Sequence, residues 1–100
     1  MELAELSQRM HQFVQSKGWY EADSPRPQQP RNLAISLAVE VGELLELYQW
    51  SDSPTPAALA EELADVGLYL LQLASMSGID LEQAILDKLQ RNLGRAWPEA

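Results

Sequence analysis

Apolar residues recur at helical spacing along nearly all of this 100-residue chain, and no stretch alternates apolar and polar side chains as a strand does. Amphipathic helices of this kind bury their apolar faces against one another, so the pattern predicts an all-α fold. One hundred residues match the usual size of one domain, and residues 1–100 are expected to form a single domain.

Glycine, proline and capping residues divide the chain into four predicted helices. The helices run from about Leu3 to Lys17, from about Asn32 to Trp50, from Pro56 to about Ser77, and onward from Asp80. Gly18 ends the first helix, and a proline-rich loop follows over residues 19–31. Thr55 is the predicted N-cap of the third helix, while Asp80 and Gln83 have the spacing of a capping box for the fourth.

The charge balance limits the partners that this chain can bind. Fifteen acids against seven bases give a net charge of −8, whereas nucleic-acid backbones attract basic patches. The chain has no cysteine, which excludes disulfides and thiolate metal sites. Its first residues, MELAELSQRM, do not resemble a signal peptide, and no apolar run approaches the ~20 residues that cross a bilayer. We expect a soluble, cytoplasmic protein that binds neither nucleic acid nor membrane.

The third predicted helix is apolar on nearly every side. Between Leu63 and Ala74 its only strongly polar residues are Asp65 and Gln72. Such a helix must be covered all round, and three other short helices cover only part of it. The sequence therefore predicts a homo-oligomer in which this helix packs against a second copy of the chain.

Two pairs of carboxylates, each spaced three residues apart, lie in helices that a short turn connects. They are Glu40 with Glu43 and Glu62 with Asp65, and each pair shares one helix face. A rise of ~1.5 Å per residue puts the two pairs at similar height if the helices are antiparallel. Acids at this spacing are usually solvated, but a solvated face carries bases for pairing, and none occurs over residues 32–87. Unpaired carboxylates on largely buried helices need a cation, and Mg²⁺ is the natural candidate.

Aromatic residues continue the two acidic stripes. Trp50 extends the stripe of the second helix and Tyr69 that of the third, as in a platform for stacking on a base, although Trp50 alone is equally consistent with packing. Gly42 and Gly67, inside the helices, would let two backbones approach closely. The single histidine, His11, is expected to be exposed, and its isolation excludes di-iron Glu-x-x-His sites and nucleophiles that need a histidine partner.

Three segments of the chain together resemble the MazG-like all-α NTP pyrophosphohydrolases, and most closely their dCTP pyrophosphatase branch. These segments are QQPRNL leading into VEVGELLELYQW, then EELADVGLYLLQLA, then DKLQRNLGRAWP, over about residues 29–98. The pattern Glu-x-x-Glu…Glu-x-x-Asp is the hallmark of that family. The resemblance implies a four-helix bundle completed by homo-oligomerisation, as a homodimer or a dimer of dimers. It also implies Mg²⁺-dependent hydrolysis of a nucleoside triphosphate to the monophosphate and pyrophosphate.

The resemblance also assigns roles to individual positions. The implied metal ligands are Glu40, Glu43, Glu62 and Asp65. The implied nucleotide-binding residues are Trp19, Asn32, Trp50, Tyr69, Lys88, Asn92 and Arg95. Glu43 or Glu40 is the expected catalytic base that orients or deprotonates the attacking water, while Mg²⁺ offsets developing charge and Lys88 and Arg95 steady the departing phosphates.

The chain departs from the family pattern in two places. Its loop before the second helix is longer and richer in proline, and Gln28 stands where the family has a histidine. Both changes fall where the base would be bound. A dCTP-like substrate and a house-cleaning role in the nucleotide pool are expected, and base preference stays open.

Two other interpretations remain open on the residues alone. The chain would then be a helical oligomerisation or regulatory module whose carboxylates bind structural cations or partner bases, or a sensor that binds nucleotides without hydrolysis.

Overall fold

Helices account for the regular secondary structure of residues 1–96, the part of the chain that the computed structural model describes. The elements are α1 Leu3–Ser16, α2 Pro30–Glu46, α3 Pro56–Met76 and α4 Leu81–Leu93. The predicted all-α fold with four helices is confirmed. Every helix in residues 1–96 is too short or too polar to span a bilayer. Trp97 and Pro98, the end of the segment DKLQRNLGRAWP, lie outside the described residues.

Local capping chemistry explains where α3 and α4 begin. Thr55 Oγ1 accepts a hydrogen bond from the Ala58 backbone N–H at 3.3 Å, and Asp80 Oδ1 accepts one from the Gln83 N–H at 3.1 Å. Both predicted N-caps are confirmed. The capping box of α4 is half formed, since the Gln83 amide donates to Asp87 Oδ1 at 2.9 Å rather than returning to the N-cap.

The end of α2 differs from the prediction. The helix ends at Glu46, and the next residues form a turn in which Tyr48 N–H and Gln49 N–H bond to Leu45 and Glu46 carbonyls at 3.0 and 3.1 Å. Bonds of this shorter span close a helix by tightening its last turn. Trp50 therefore leaves the helical stripe of the acidic residues, and its predicted place on that stripe was wrong.

α3 is the central element, since it contacts all three other helices and packs most extensively on α2. The buried apolar side chains are few and come from three helices: Met10, Val14, Leu33, Leu71 and Ala74. Partly buried Trp19 and Tyr20 from the loop after α1, and Leu81 from the first turn of α4, pack against this core. The start of the loop is thus packed against α1 and the C-terminal half of α3.

Much apolar surface stays uncovered within one chain. The accessible surface is 7722 Å², whereas a compact monomer of this mass exposes roughly 5,700 Å². The radius of gyration is 16.2 Å, against about 13 Å for a typical domain of this length. On α3, Leu63 and Leu70 are 51% and 40% exposed. The helix predicted to need covering on every side is covered only in part by its own chain.

The glycines inside α2 and α3 do not mark a close backbone approach within the chain. A Cβ built at Gly42 or at Gly67 meets no atom within 4 Å. The expectation that these glycines let α2 and α3 approach closely was therefore wrong for contacts inside one copy, because each glycine borders open space.

Candidate functional site

The antiparallel pair α2 and α3 brings acidic residues of both helices together. Carboxylate oxygens of Glu40, Glu62 and Asp65 lie within 4.8 Å of one another. The connection over residues 47–55 is short, so it sets the register that places these residues at one height. The predicted convergence of the two pairs is confirmed for these three groups.

Glu43, the remaining acid of the predicted set, lies beside the same cluster. Its carboxylate is within hydrogen-bonding reach of both Glu40 and Glu62, and its charge acts on both of them. Since the side chain of Glu43 is itself exposed, the cluster reaches from a half-buried interior to the solvent.

Burial and mutual repulsion change the protonation of the half-buried acids. Loss of solvation raises the pKa of Glu40 most, followed by its hydrogen bond to Glu43 and by the charges of Glu43, Asp65 and Glu62. Loss of solvation is also the largest cause of the raised pKa of Glu62, followed by the charges of Glu43 and Asp65. Each negative charge in the cluster therefore disfavours the next one.

The cluster fits a hard divalent cation. Oε2 of Glu40 and Oε2 of Glu62 are both buried without a hydrogen-bond partner among residues 1–96. Buried polar atoms nearly always have a partner, so two such oxygens beside a third carboxylate are suited to coordinating an ion. Carboxylate oxygens are the donors that Mg²⁺ and Ca²⁺ bind.

A cavity of about 830 Å³ lies next to the cluster, between α1, the following loop, α2 and α3. Asp65 belongs both to the cluster and to the cavity wall, so the two are continuous. The other walls are largely apolar and aromatic, with a few amides and two arginines, Arg9 and Arg26. Small-molecule sites commonly have this size and this mixture of surfaces.

The aromatic wall of the cavity is fixed by contacts between the loop and α1. The Trp19 ring meets the Phe13 ring edge to face, with centroids 5.7 Å apart. The Arg26 guanidinium lies 5.6 Å from the centroid of Trp19, a cation–π contact. Arg26 therefore brings a positive charge to the cavity, which the sequence analysis did not single out.

Three of the predicted nucleotide-binding residues line this cavity: Trp19, Asn32 and Tyr69. Asn32 is anchored near the start of α2, where its side-chain amide donates to the Pro27 carbonyl at 3.1 Å.

The other four predicted nucleotide-binding residues do not line the cavity of their own chain. Trp50 is 88% exposed and lies beyond the end of α2, whereas Lys88 and Asn92 are on α4 and Arg95 follows it. One chain therefore unites the acids with part of the predicted binding set.

The prediction for His11 was wrong, and Gln72 was not predicted as a site residue. His11 is half-buried rather than exposed, because its ring nitrogens hydrogen-bond Tyr20 Oη and Ser75 Oγ. Gln72 is buried in α3 and lines the cavity. Its isolation in an otherwise apolar stretch was the signal that could have identified it.

Comparisons with known proteins agree with this architecture. The model of the MazG-like family matches residues 35–99. The dCTP pyrophosphatase 1 proteins of Mus musculus and Homo sapiens are each 40% identical over 98 residues, which covers 87% of this chain and 55% of each relative. This chain thus spans about half the length of the curated relatives that it matches. A crystal structure of a pyrophosphatase from Archaeoglobus fulgidus DSM 4304 aligns with a TM-score of 0.75 and 34% identity, covering 89% of this chain and 86% of that one. With the family model matching most of its length, this chain belongs to the MazG-like family.

Proposed function

We propose that this chain is a Mg²⁺-dependent nucleoside triphosphate pyrophosphohydrolase that forms a nucleoside monophosphate and pyrophosphate. The main support is the cluster of Glu40, Glu62 and Asp65, with two buried oxygens that lack partners in residues 1–96. The relatives named above as dCTP pyrophosphatase 1 and pyrophosphatase support the same reaction class. A dCTP-like deoxynucleotide as preferred substrate, a house-cleaning role, a cytoplasmic location and a single domain over residues 1–100 are parts of the proposal.

The proposed metal ligands are Glu40, Glu43, Glu62 and Asp65. A bound Mg²⁺ would offset the negative charge of the triphosphate and lower the pKa of a coordinated water molecule. Glu40 and Glu43 lie on α2 and Glu62 and Asp65 on α3, so the packing of these two helices brings the proposed ligands together.

Glu43 is the preferred catalytic base, with Glu40 as the other candidate. The exposed carboxylate of Glu43 is accessible to water, whereas Glu40 keeps one oxygen buried. A base at Glu43 orients the water and accepts its proton as the oxygen attacks the α-phosphorus. The bond from the α-phosphorus to the bridging oxygen then breaks, and pyrophosphate departs.

The cavity beside the cluster is the proposed place for the base and sugar. Trp19 and Tyr69 offer ring faces there, and Asn32 offers a polar group. Asp65 belongs to both the cavity wall and the acidic cluster. The substrate is therefore proposed to bind with its base in the cavity and its phosphates next to the cluster.

A second copy of the chain is proposed to complete the site. The accessible surface of one chain exceeds that of a compact monomer of this mass by roughly 2,000 Å². This excess is comparable with the area that a stable protein interface buries. Trp50, Lys88, Asn92 and Arg95, which do not line the cavity of their own chain, would then act at a site shared between copies, in a homodimer or a dimer of dimers.

A nucleotide panel tests the proposed reaction. The full chain is incubated with each deoxynucleoside and ribonucleoside triphosphate and Mg²⁺, with EDTA and Glu62→Gln as controls, and the products are separated by anion exchange. Monophosphate and pyrophosphate in equal amounts, lost in both controls, support the proposal. Orthophosphate release would indicate another cleavage position. Binding without turnover would favour a sensor, and neither binding nor turnover would favour an interaction module.

A further inference from the structure

A buried glutamine on α3 connects the cavity to a polar network behind it. Gln72 is 4% exposed, and its Nε2 lies 2.7 Å from Gln28 Oε1 and 3.4 Å from Tyr20 Oη. Gln28 and Gln72 both line the cavity. A buried amide needs hydrogen-bond partners for its N–H groups. The Gln72 amide finds one of them in Gln28, and it thereby holds the Gln28 amide at the cavity wall.

The direction of these hydrogen bonds is fixed by a backbone carbonyl. Gln28 Nε2 lies 2.7 Å from the carbonyl oxygen of Arg26, and a carbonyl can only accept. The Gln28 amide must therefore face Arg26 with its nitrogen and Gln72 with its oxygen. Gln72 in turn must present its nitrogen, so it donates to Gln28 Oε1 and to the oxygen of Tyr20.

The network extends beyond Gln72 to Tyr20 and His11. The Tyr20 hydroxyl oxygen accepts from Gln72 Nε2 and is also hydrogen-bonded to His11 Nδ1. His11 Nε2 is hydrogen-bonded to Ser75 Oγ at 2.6 Å. Side chains from α1, α3 and the loop therefore hold the Gln72 amide in place, while the carbonyl of Arg26 sets the orientation of the two amides.

The consequence lies in what Gln28 can still offer to a ligand. An amide has two N–H groups and two acceptor positions; one N–H is used on Arg26 and one acceptor position on Gln72. One N–H donor and one acceptor position of the Gln28 amide remain, and the two hydrogen bonds prevent the amide from flipping. A free glutamine can rotate to match either order of donor and acceptor, whereas a held one matches only one.

We propose that Gln28 binds the donor–acceptor edge of a nucleobase in this cavity, and that Gln72 is the positioning residue that determines which base edge Gln28 recognises. Tyr20 supports Gln72 through a hydrogen bond, and His11 in turn is hydrogen-bonded to Tyr20. The inference rests on the proposed function in taking a nucleotide as the occupant, and it assigns the choice between bases to an amide pair joining the loop to α3.

The test measures base discrimination in variants that keep side-chain volume. Gln28→Met and Gln72→Met remove the amides while retaining the unbranched shape. The full chain is assayed for kcat/KM on dCTP, dTTP, dATP and dGTP. We expect the wild type to favour one base by about tenfold or more, the discrimination that a paired donor and acceptor provide. Both variants should reduce the ratio to about threefold or less, by losing activity on the favoured base alone, and Tyr20→Phe should reduce it partly.

A matched control separates positioning from stability. Thr55→Ala removes the N-cap hydrogen bond of α3 at a residue that does not line the cavity, so it should lower the thermal midpoint while leaving the base ratios unchanged. An equal loss on all four bases in Gln72→Met, or a wild type that treats the bases alike, would overturn the inference.

A binding arm separates this inference from the proposed reaction. Calorimetric titration of the four deoxynucleoside monophosphates into each variant needs no turnover. Base-dependent binding that disappears in Gln72→Met would support the inference even if no triphosphate were hydrolysed. Hydrolysis with unchanged base ratios in both glutamine variants would overturn the inference and leave the reaction standing.

Discussion

Glu40 on α2 and Glu62 on α3 each keep one carboxylate oxygen buried and without a partner in residues 1–96, with carboxylate oxygens of the two residues no more than 4.8 Å apart. Like charges at this separation repel, and partial burial strengthens the repulsion. The cation-free fold therefore carries an electrostatic penalty at the site where the chemistry is proposed, and several consequences can be measured.

The cation-free protein should become more stable as the pH falls towards the ordinary carboxyl range. The pKa of Glu40 and of Glu62 is raised in the folded state, so the folded protein binds more protons than the unfolded chain above the unfolded pKa. Stability then decreases as pH rises through the folded pKa, and the penalty is complete above it. In EDTA, the thermal midpoint should therefore be higher in mildly acidic buffer than at neutral pH, and millimolar Mg²⁺ should remove most of this dependence.

The double variant Glu40→Gln/Glu62→Gln is the control for the pH experiment. It keeps the shape of the cluster and removes both titrating groups, so its midpoint should be higher at neutral pH and should change less with pH. An unchanged pH dependence in this variant would assign the effect to other acids of the chain.

Glu43→Ala should abolish pyrophosphate release without harming the fold. Loss of a catalytic base typically costs about 10²–10⁴-fold in rate, and removing one of several repelling charges should not lower the thermal midpoint. Stopped assays of pyrophosphate and circular dichroism measure the two effects. Glu46→Ala, an exposed acid at the end of α2, is the matched control and should stay near the wild-type rate. Near wild-type turnover in Glu43→Ala would exclude Glu43 as the base.

Leu45→Glu should weaken the proposed association between copies. Leu45 is 70% exposed on α2, and a charge in an apolar interface costs its desolvation. Light scattering after size exclusion should give the wild type a mass at least twice the 11.2 kDa of one chain, and a smaller mass for the variant. Gln12→Glu, an equal charge on the exposed face of α1, should have no effect. A wild type that is monomeric at micromolar concentration would contradict this prediction.

Gly42→Ala should stabilise the protein. A Cβ at Gly42 meets no atom within 4 Å, and alanine is favoured over glycine inside a helix by about 1 kcal/mol. For a domain of this size, the midpoint should rise by about 4–8 °C. Gly18→Ala should lower it although its surroundings are equally open, because φ at Gly18 is 72°, a left-handed conformation that strains alanine. A lower midpoint for Gly42→Ala would indicate that a second copy approaches α2 there.

Features set by neighbouring residues were predictable, and features set by the path of the chain were not. The caps at Thr55 and Asp80 depend on side chains bonding to their own next turn, so local sequence suffices. The end of α2 was overshot because neither glycine nor proline occurs between Glu46 and Trp50, and the apolar spacing continues through the turn. Periodicity alone does not mark such an end.

The candidate site divides in the same way. Two helices and a short turn determine the height of Glu40, Glu62 and Asp65, so counting residues was enough. The contact between Gln28 and Gln72 joins residues 44 positions apart through the course of the loop, and no spacing rule gives that course. Trp50 and Lys88 do not line the cavity of their own chain, and no spacing rule within one chain brings them to it.

The acids and the cavity have different structural supports. The acids depend on α2 and α3 alone, whereas one side of the cavity comes from α1 and the loop that follows it. Insertions or deletions in that loop can therefore change which molecule the cavity admits while the acidic cluster stays in place. In a family built on this plan, we expect recognition to diversify by loop replacement around an unaltered pair of helices.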